Sequence, residues 1–89
     1  MNPPTEDTLH LLNRLKHEAN AVNSPMLAGE LRQIAYDYNE WLLGQWQPSE
    51  HELRGYFAER FAMARHYAHE AGDRRLAIAL SALEDQVLQ

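Results

Sequence analysis

SPMLAGELRQIAYDYNEWLLGQW, residues 24–46, is the stretch that decides the fold. It opens with Ser24 and Pro25, a pair that suits the N-cap and the first position of a helix. Apolar residues then recur at helical spacing, and a helical wheel places seven of them within an arc of about 120°. The stretch therefore predicts a long amphipathic helix on which the rest of the chain packs. The predicted core face consists of Leu27, Leu31, Ile34, Ala35, Tyr38, Trp41 and Leu42.

Three further helices are predicted on either side of this stretch. Thr5 is the expected N-cap of the first helix, because acidic residues follow it where the helix dipole favours them. Ser49 and Glu52 have the spacing of a capping box at the start of the third helix. Gly72 and Asp73 supply a left-handed C-terminal position and the next N-cap. The predicted helices span residues 5–22, 25–44, 50–71 and 74–88.

The predicted fold class is all-α, a compact bundle of four antiparallel helices with the second and third longest. The links are about two to five residues long, and links this short make neighbouring helices antiparallel. Hydrophobic residues make up 45% and charged residues 24% of the 89 residues, as in ordinary globular chains. We expect one helical domain over residues 1–89, with residues 1–4 as a flexible N-terminal tail.

The composition also restricts the compartment and the chemistry. The chain has no cysteine, which excludes disulfide bonds and thiolate metal sites. The N-terminal segment MNPPTEDT has acidic residues where a signal peptide needs positive charge and then an apolar run. No apolar run reaches the roughly 18 residues of a membrane span. These features predict a cytoplasmic protein without a membrane partner.

Five histidines raise the question of a metal site. Metal sites in helical bundles use a glutamate three residues before a histidine, and no histidine of this chain has one. His66 and His69 are expected to face solvent near the end of the third helix, where the dipole favours histidine. We therefore expect no metal and no cofactor.

Arg60 and His66 have an Arg-x5-His spacing that resembles the motif of a superfamily of helical RNA-cleaving proteins. Such a pair needs arginine to hold phosphate and histidine to move a proton. On one regular helix these side chains point roughly 120° apart, so only a dimer could assemble them into one site. No catalytic residue is predicted. An RNA-processing or metal-dependent enzyme using Arg60, His66 or His69 is the third alternative.

Arg60 is also unusual because it lies near the centre of the apolar arc of the third helix. Either its aliphatic stem packs while the guanidinium reaches water, or it forms a partly buried ion pair with Asp37 or Glu40. Both acids belong to a polar flank of the second helix, with Glu30 and Gln33, that we expect to face solvent. The two interpretations of Arg60 stay open.

The charge distribution is uneven around a formal net charge of −5. Residues 54–75 hold five arginines and three acidic residues, whereas the rest of the chain is acidic. Arg65, Arg74 and Arg75 are candidate phosphate contacts. The alternative function is therefore nucleic-acid binding in a dimer, with the third and fourth helices as a helix-turn-helix. The other interpretation of the cluster is a solvated face that complements the acidic half.

The helix corner AGDRRLA, residues 71–77, resembles a single tetratricopeptide hairpin and the helical hairpins of phage terminase small subunits. The similarity covers about 20 residues, and a solenoid needs at least about three repeats. A Gly-Asp corner is also what helix capping selects without any shared ancestry. We therefore transfer no functional residue from these families.

A second set of apolar residues lies on the back of residues 24–46. Gly29, Tyr36 and Leu43 are spaced by seven and lie opposite the core face, and Trp46 follows at the helix end. Tyrosine and tryptophan are enriched at interface centres. The row is either buried by its own chain, harmlessly exposed, or a partner interface. The predicted function is a small, acidic, non-enzymatic helical interaction module, a homodimeric regulator, adaptor or inhibitor, with phage- or plasmid-type inhibitors as one subclass.

Overall fold

Four helices make up most of the described part of the chain. The structure, a computed structural model, describes residues 6–88. The helices are Glu6–Ala21 (α1), Pro25–Leu42 (α2), Glu50–Glu70 (α3) and Arg74–Val87 (α4), with no strand among residues 6–88. These bounds confirm the predicted all-α fold, and each helix begins and ends within two residues of its predicted position. The predicted N-terminal tail and the predicted N-cap Thr5 lie outside the described residues.

Side chains cap the N-termini of α2, α3 and α4 as the sequence predicts. Ser24, Ser49 and Asp73 each accept a hydrogen bond from the backbone N–H three residues later, at 3.3, 3.2 and 3.0 Å. The Ser49 hydroxyl also lies 3.1 Å from the Glu52 carboxylate and donates to it. Each such cap contributes about 1 kcal/mol, so these helix starts are determined locally.

Glycines in the left-handed conformation end α2 and α3. Gly44 has φ 77° and Gly72 has φ 74°. The N–H groups of Gly44 and Gln45 donate to the carbonyls of Trp41 and Glu40, at 3.1 and 2.9 Å, which is a Schellman motif. The same pattern follows α3. The Schellman motif explains why α2 ends two residues before its predicted end and why the chain then changes direction.

The core combines residues from all four helices. Six of the seven predicted core residues of α2 are buried, and Trp41 is half-buried. Phe57 and Phe61 of α3 are fully buried, and burying a side chain of this size contributes roughly 2–3 kcal/mol. The largest fully buried side chains are Phe57, Phe61, Leu15, Leu27, Leu31, Ile34, Leu80 and Leu83.

The helices pack in chain order, α1 on α2, α2 on α3 and α3 on α4. The Cα radius of gyration is 12.5 Å, close to the roughly 12 Å expected for a compact chain of this length. The face of α2 opposite the core lies at the surface, where Tyr36 and Leu43 are exposed. In the part of the chain that is described, no helix combines the length and the apolar character needed to cross a membrane.

Candidate interaction surface

The outer face of α2 carries the apolar row predicted from the sequence. Tyr36 is 61% exposed and Leu43 is 58% exposed. Gly29, on the same row, is exposed, and a Cβ atom added to it would meet nothing within 4 Å. Within residues 6–88 no other part of the chain covers this row. Intrachain burial therefore does not explain Tyr36 and Leu43.

Trp46 does not belong to this exposed row, which corrects its predicted placement. Its ring is half-buried and lies with its centroid 5.0 Å from that of Tyr56 and 5.9 Å from that of Phe57, both edge to face. The left-handed Gly44 changes the direction of the chain before Trp46, so its indole packs on α3. Trp46 is part of the aromatic packing between the α2–α3 link and α3.

An open pocket of about 600 Å³, not predicted from the sequence, lies beside Trp46. Its volume is in the range of small-molecule sites. The charged side chains at the pocket, Glu50 and Arg54, form an ion pair of 3.2 Å with each other, so no net charge is directed at a ligand. Trp41, Trp46 and Pro48 lie close together in the sequence and all line this pocket, so their clustering could have indicated it. The lining residues are Trp41, Gly44, Trp46, Gln47, Pro48, Glu50, Leu53, Arg54, Val87 and Leu88.

The polar flank of α2 is half-buried, and two of its acids, Glu30 and Asp37, contact α3, although the sequence predicts that the flank faces solvent. The carboxylate next to Arg60 is that of Glu30, with 3.6 Å between Arg60 Nη1 and Glu30 Oε2. The predicted partners were Asp37 and Glu40. Asp37 is instead engaged by Gln33, at 2.9 Å, and by the Tyr56 hydroxyl, which donates to it. The partly buried ion pair therefore forms, but with a different acid.

Arg60 is held between α2 and α3 by packing as well as by charge. Its side chain is 29% exposed and that of Glu30 is 19% exposed. The guanidinium carbon lies 5.8 Å from the centroid of the Tyr56 ring. Arg60 Nε and Glu30 Oε2 are buried without a hydrogen-bond partner, so the pair offsets only part of its desolvation cost.

Tyr56 is the point where these polar contacts meet. Burial, and then the hydrogen bond to the Asp37 carboxylate, raise the pKa of Tyr56 to about 12. The raised pKa keeps the phenol protonated above pH 10, where an exposed tyrosine loses its proton. Tyr56 is accordingly a hydrogen-bond donor that ties α3 to α2.

Most of the predicted arginine cluster is engaged within its own chain. Arg65, a candidate phosphate contact, pairs with Glu84 and so joins α3 to α4. Arg54 and Arg60 also have carboxylate partners. Arg74 and Arg75 are exposed in the first turn of α4, where the helix dipole disfavours positive charge. Among the described arginines of this cluster, only these two have no carboxylate within ion-pair distance.

The candidate enzymatic residues are not brought together. His66 Nε2 lies 3.1 Å from Glu70 Oε1 on the exposed side of α3, and His69 is exposed nearby. Arg60 faces α2 instead, in agreement with the angular separation expected on one helix. Among the described residues, no three His, Asp or Glu side chains are grouped as metal ligands.

Comparisons of the chain with models of protein families, with curated proteins and with solved structures found no match. We therefore infer function from the geometry and charge of the surface alone.

Proposed function

We propose that the protein is a non-enzymatic helical interaction module that binds a protein partner through the outer face of α2. The observation that supports this proposal is the exposure of Tyr36 and Leu43 on one row of one helix. Each of these side chains gains roughly 2 kcal/mol when it is removed from water. Covering both contributes up to about 4 kcal/mol, which is close to the smallest cost of association, so other contacts on the same face must add to it.

Other exposed apolar residues provide a contrast. Ile78 is 74% exposed on α4, and no second large apolar side chain is exposed on that helix in the described residues. Single exposed apolar residues are normal on soluble proteins and need no partner. Tyr36 and Leu43 differ because they are two helical turns apart on the same face, beside a glycine that permits close approach.

The acidic surface suggests the role of the module. With a net charge of −5 and no cysteine, the chain suits a cytoplasmic regulator, adaptor or inhibitor. An inhibitor of phage or plasmid type is one subclass, since an acidic body can occupy a basic site. The partner is a protein, and a second copy of the chain is the form that the sequence predicts.

Nucleic-acid binding through residues 54–75 is the alternative, and it remains a prediction. No observation favours it, because three of the five arginines are engaged by carboxylates of the same chain. Arg74 and Arg75 alone form a small footprint for phosphate.

A photocrosslinking amino acid at the position of Tyr36 tests the proposal in the cells that produce the protein. We expect protein adducts when p-benzoylphenylalanine replaces Tyr36. The same replacement at Ile78, which is at least as exposed, is the matched control and should give none. Equal or absent crosslinking at the two positions would contradict the proposed function.

A further inference from the structure

The outer face of α2 carries opposite charges, Arg32 and Glu40, at equal distances before and after Tyr36. We propose that two chains pair through this face as antiparallel helices, with the twofold axis next to Tyr36. This inference rests on the proposed function and names its partner. In this arrangement Tyr36 lies against the partner's Tyr36, and residues equally far before and after Tyr36 face each other.

The charges on the face select the antiparallel direction. Arg32 lies four residues before Tyr36 and Glu40 four residues after it, which places each about 6 Å from the axis at 1.5 Å per residue. Antiparallel pairing therefore sets Arg32 against the partner's Glu40, twice in one dimer. Parallel pairing would set Arg32 against the partner's Arg32 and oppose the two Glu40 carboxylates. Like charges across an interface oppose association.

Both charges are available for a partner. Arg32 is exposed, and its Nη2 lies 3.3 Å from the neutral amide oxygen of Asn20. Glu40 is half-exposed. Within residues 6–88 neither side chain lies in an ion pair. By contrast, Glu30 and Asp37, which lie on the same polar flank farther around the helix from Tyr36, are engaged by α3 or by α2 itself.

The shape of the face follows the same symmetry. Gly29 and Leu43 lie seven residues before and after Tyr36, about 10 Å from the axis. Leu43 would therefore contact the partner chain at its Gly29, where no Cβ stands in the way. Gly29 has no positive φ, and a Cβ there would meet no neighbour of its own chain. Space for the partner's Leu43 accounts for a glycine that the monomer does not require.

The size of the face sets the expected affinity. The 18 residues of α2 extend over about 27 Å, which allows one helix-on-helix contact per dimer. Such a contact is smaller than a standard stable interface. We therefore expect a dissociation constant between about 1 and 100 μM and a dimer that forms with increasing concentration.

Charge-reversal variants test the pairing by sedimentation equilibrium. Arg32→Glu and Glu40→Arg each oppose like charges in their own homodimers, so each should dimerise at least about 10-fold more weakly than wild type. An equimolar mixture of the two should recover dimers, because every position 32 then faces a position 40 of opposite charge. The double variant should also dimerise with itself. Arg75→Glu carries the same change in net charge as Arg32→Glu, but away from α2, and should leave dimerisation unchanged.

A single introduced thiol gives an independent test, since the chain has no cysteine of its own. Tyr36→Cys lies at the proposed axis and should form a disulfide-linked dimer under mild oxidation. Ile78→Cys is at least as exposed and should not. Circular dichroism in the helical region checks that each variant is folded. Tyr36→Ser or Leu43→Ser replaces any variant that is not folded, because each weakens the outer face of α2 without adding a charge.

A wild-type chain that stays monomeric up to about 1 mM would overturn this inference, as would a variant mixture that does not recover dimers. A monomeric chain that still crosslinks from position 36 to a different protein would overturn the self-pairing alone. It would leave the proposed function in place. Absence of any adduct from position 36 in cells would instead count against the proposed function.

Discussion

Trp46 and Tyr36 are two large aromatic residues whose surroundings give them different roles. Trp46 packs edge to face on Tyr56 and Phe57, whereas Tyr36 is 61% exposed. An aromatic side chain in such packing contributes through buried area and through the favourable geometry of the rings. An exposed tyrosine contributes little to folding.

Replacing each aromatic residue by alanine should separate these roles. We expect Trp46→Ala to lower the free energy of unfolding by about 2–3 kcal/mol, because it removes packing against α3. Tyr36→Ala should change it by less than about 0.5 kcal/mol. Urea denaturation measures both free energies of unfolding, at a protein concentration low enough to keep the chain monomeric. A larger loss for Tyr36→Ala would mean that Tyr36 supports the fold of the single chain.

Tyr56 should make stability depend on alkaline pH. Its pKa is raised from 10.0 to about 12, by burial first and by Asp37 second, so the folded chain retains its proton after the unfolded chain has lost it. The unfolded state then binds fewer protons, and the free energy of unfolding decreases as pH rises. The stabilisation is complete below pH 10 and is lost as pH rises from about 10 to about 12.

Comparison with Tyr56→Phe isolates this effect, because burial also raises the pKa of Tyr38 in both proteins. We expect wild type to be more stable than Tyr56→Phe at pH 7, by about 1 kcal/mol for the lost hydrogen bond. The difference should shrink when urea denaturation is repeated at increasing pH above 10. A difference that stays constant with pH would contradict the assignment of Tyr56 as the donor to Asp37.

At the scale of the helices, α2 and α3 are joined by polar contacts along the edge of their apolar faces. The ion pair of Glu30 with Arg60 and the bond of Tyr56 to Asp37 cross this boundary. Both are half-buried, so they are screened less than surface pairs. They help to determine which flank of α2 faces α3.

A double-mutant cycle measures the coupling between Glu30 and Arg60. We expect Arg60→Ala to lower the free energy of unfolding by about 2 kcal/mol, because Glu30 is left as an unpaired, largely buried charge. The double variant should lose less than the sum of the single variants, with a coupling of about 1 kcal/mol.

The exposed pair Glu50 and Arg54 is the matched control for this cycle. It joins residues of one helix and should show a coupling of about 0.3–0.5 kcal/mol. Strictly additive losses for Glu30→Ala and Arg60→Ala would show that the two charges do not interact. Repeating the cycle with Asp37 in place of Glu30, one of the two acids predicted from the sequence, tests which acid pairs with Arg60.

At the scale of the whole molecule, the charge distribution opposes binding to phosphates. The net charge is −5, and Arg54, Arg60 and Arg65 are neutralised within the chain. Steering of nucleic acid needs a patch of unneutralised positive charge.

We therefore expect no shift of duplex DNA or RNA in a gel at about 150 mM salt. Any binding at low salt should be weak and should be lost in Arg74→Ala/Arg75→Ala. Tyr36→Glu serves as the control, because it changes the proposed protein interface and leaves these arginines intact. Binding that persists at 150 mM salt and depends on Arg74 and Arg75 would favour the nucleic-acid alternative.

The helices and their ends could be predicted from the sequence because their causes are local. Ser24, Ser49 and Asp73 bind backbone N–H groups three residues away, so their effect does not depend on the rest of the fold. The core face of α2 and the exposed row at Tyr36 and Leu43 follow from helical periodicity alone. The all-α fold was predictable for the same reason.

The amino-acid sequence by itself determined where the helices lie, which face of α2 is buried, and that Tyr36 and Leu43 stand opposite it. Only the tertiary structure decided that Arg60 pairs with Glu30 and that Trp46 packs on α3. Contacts between helices depend on how each helix is rotated and shifted against its neighbour, and small changes in either select a different side chain. Spacing along the chain describes only contacts within about one helical turn.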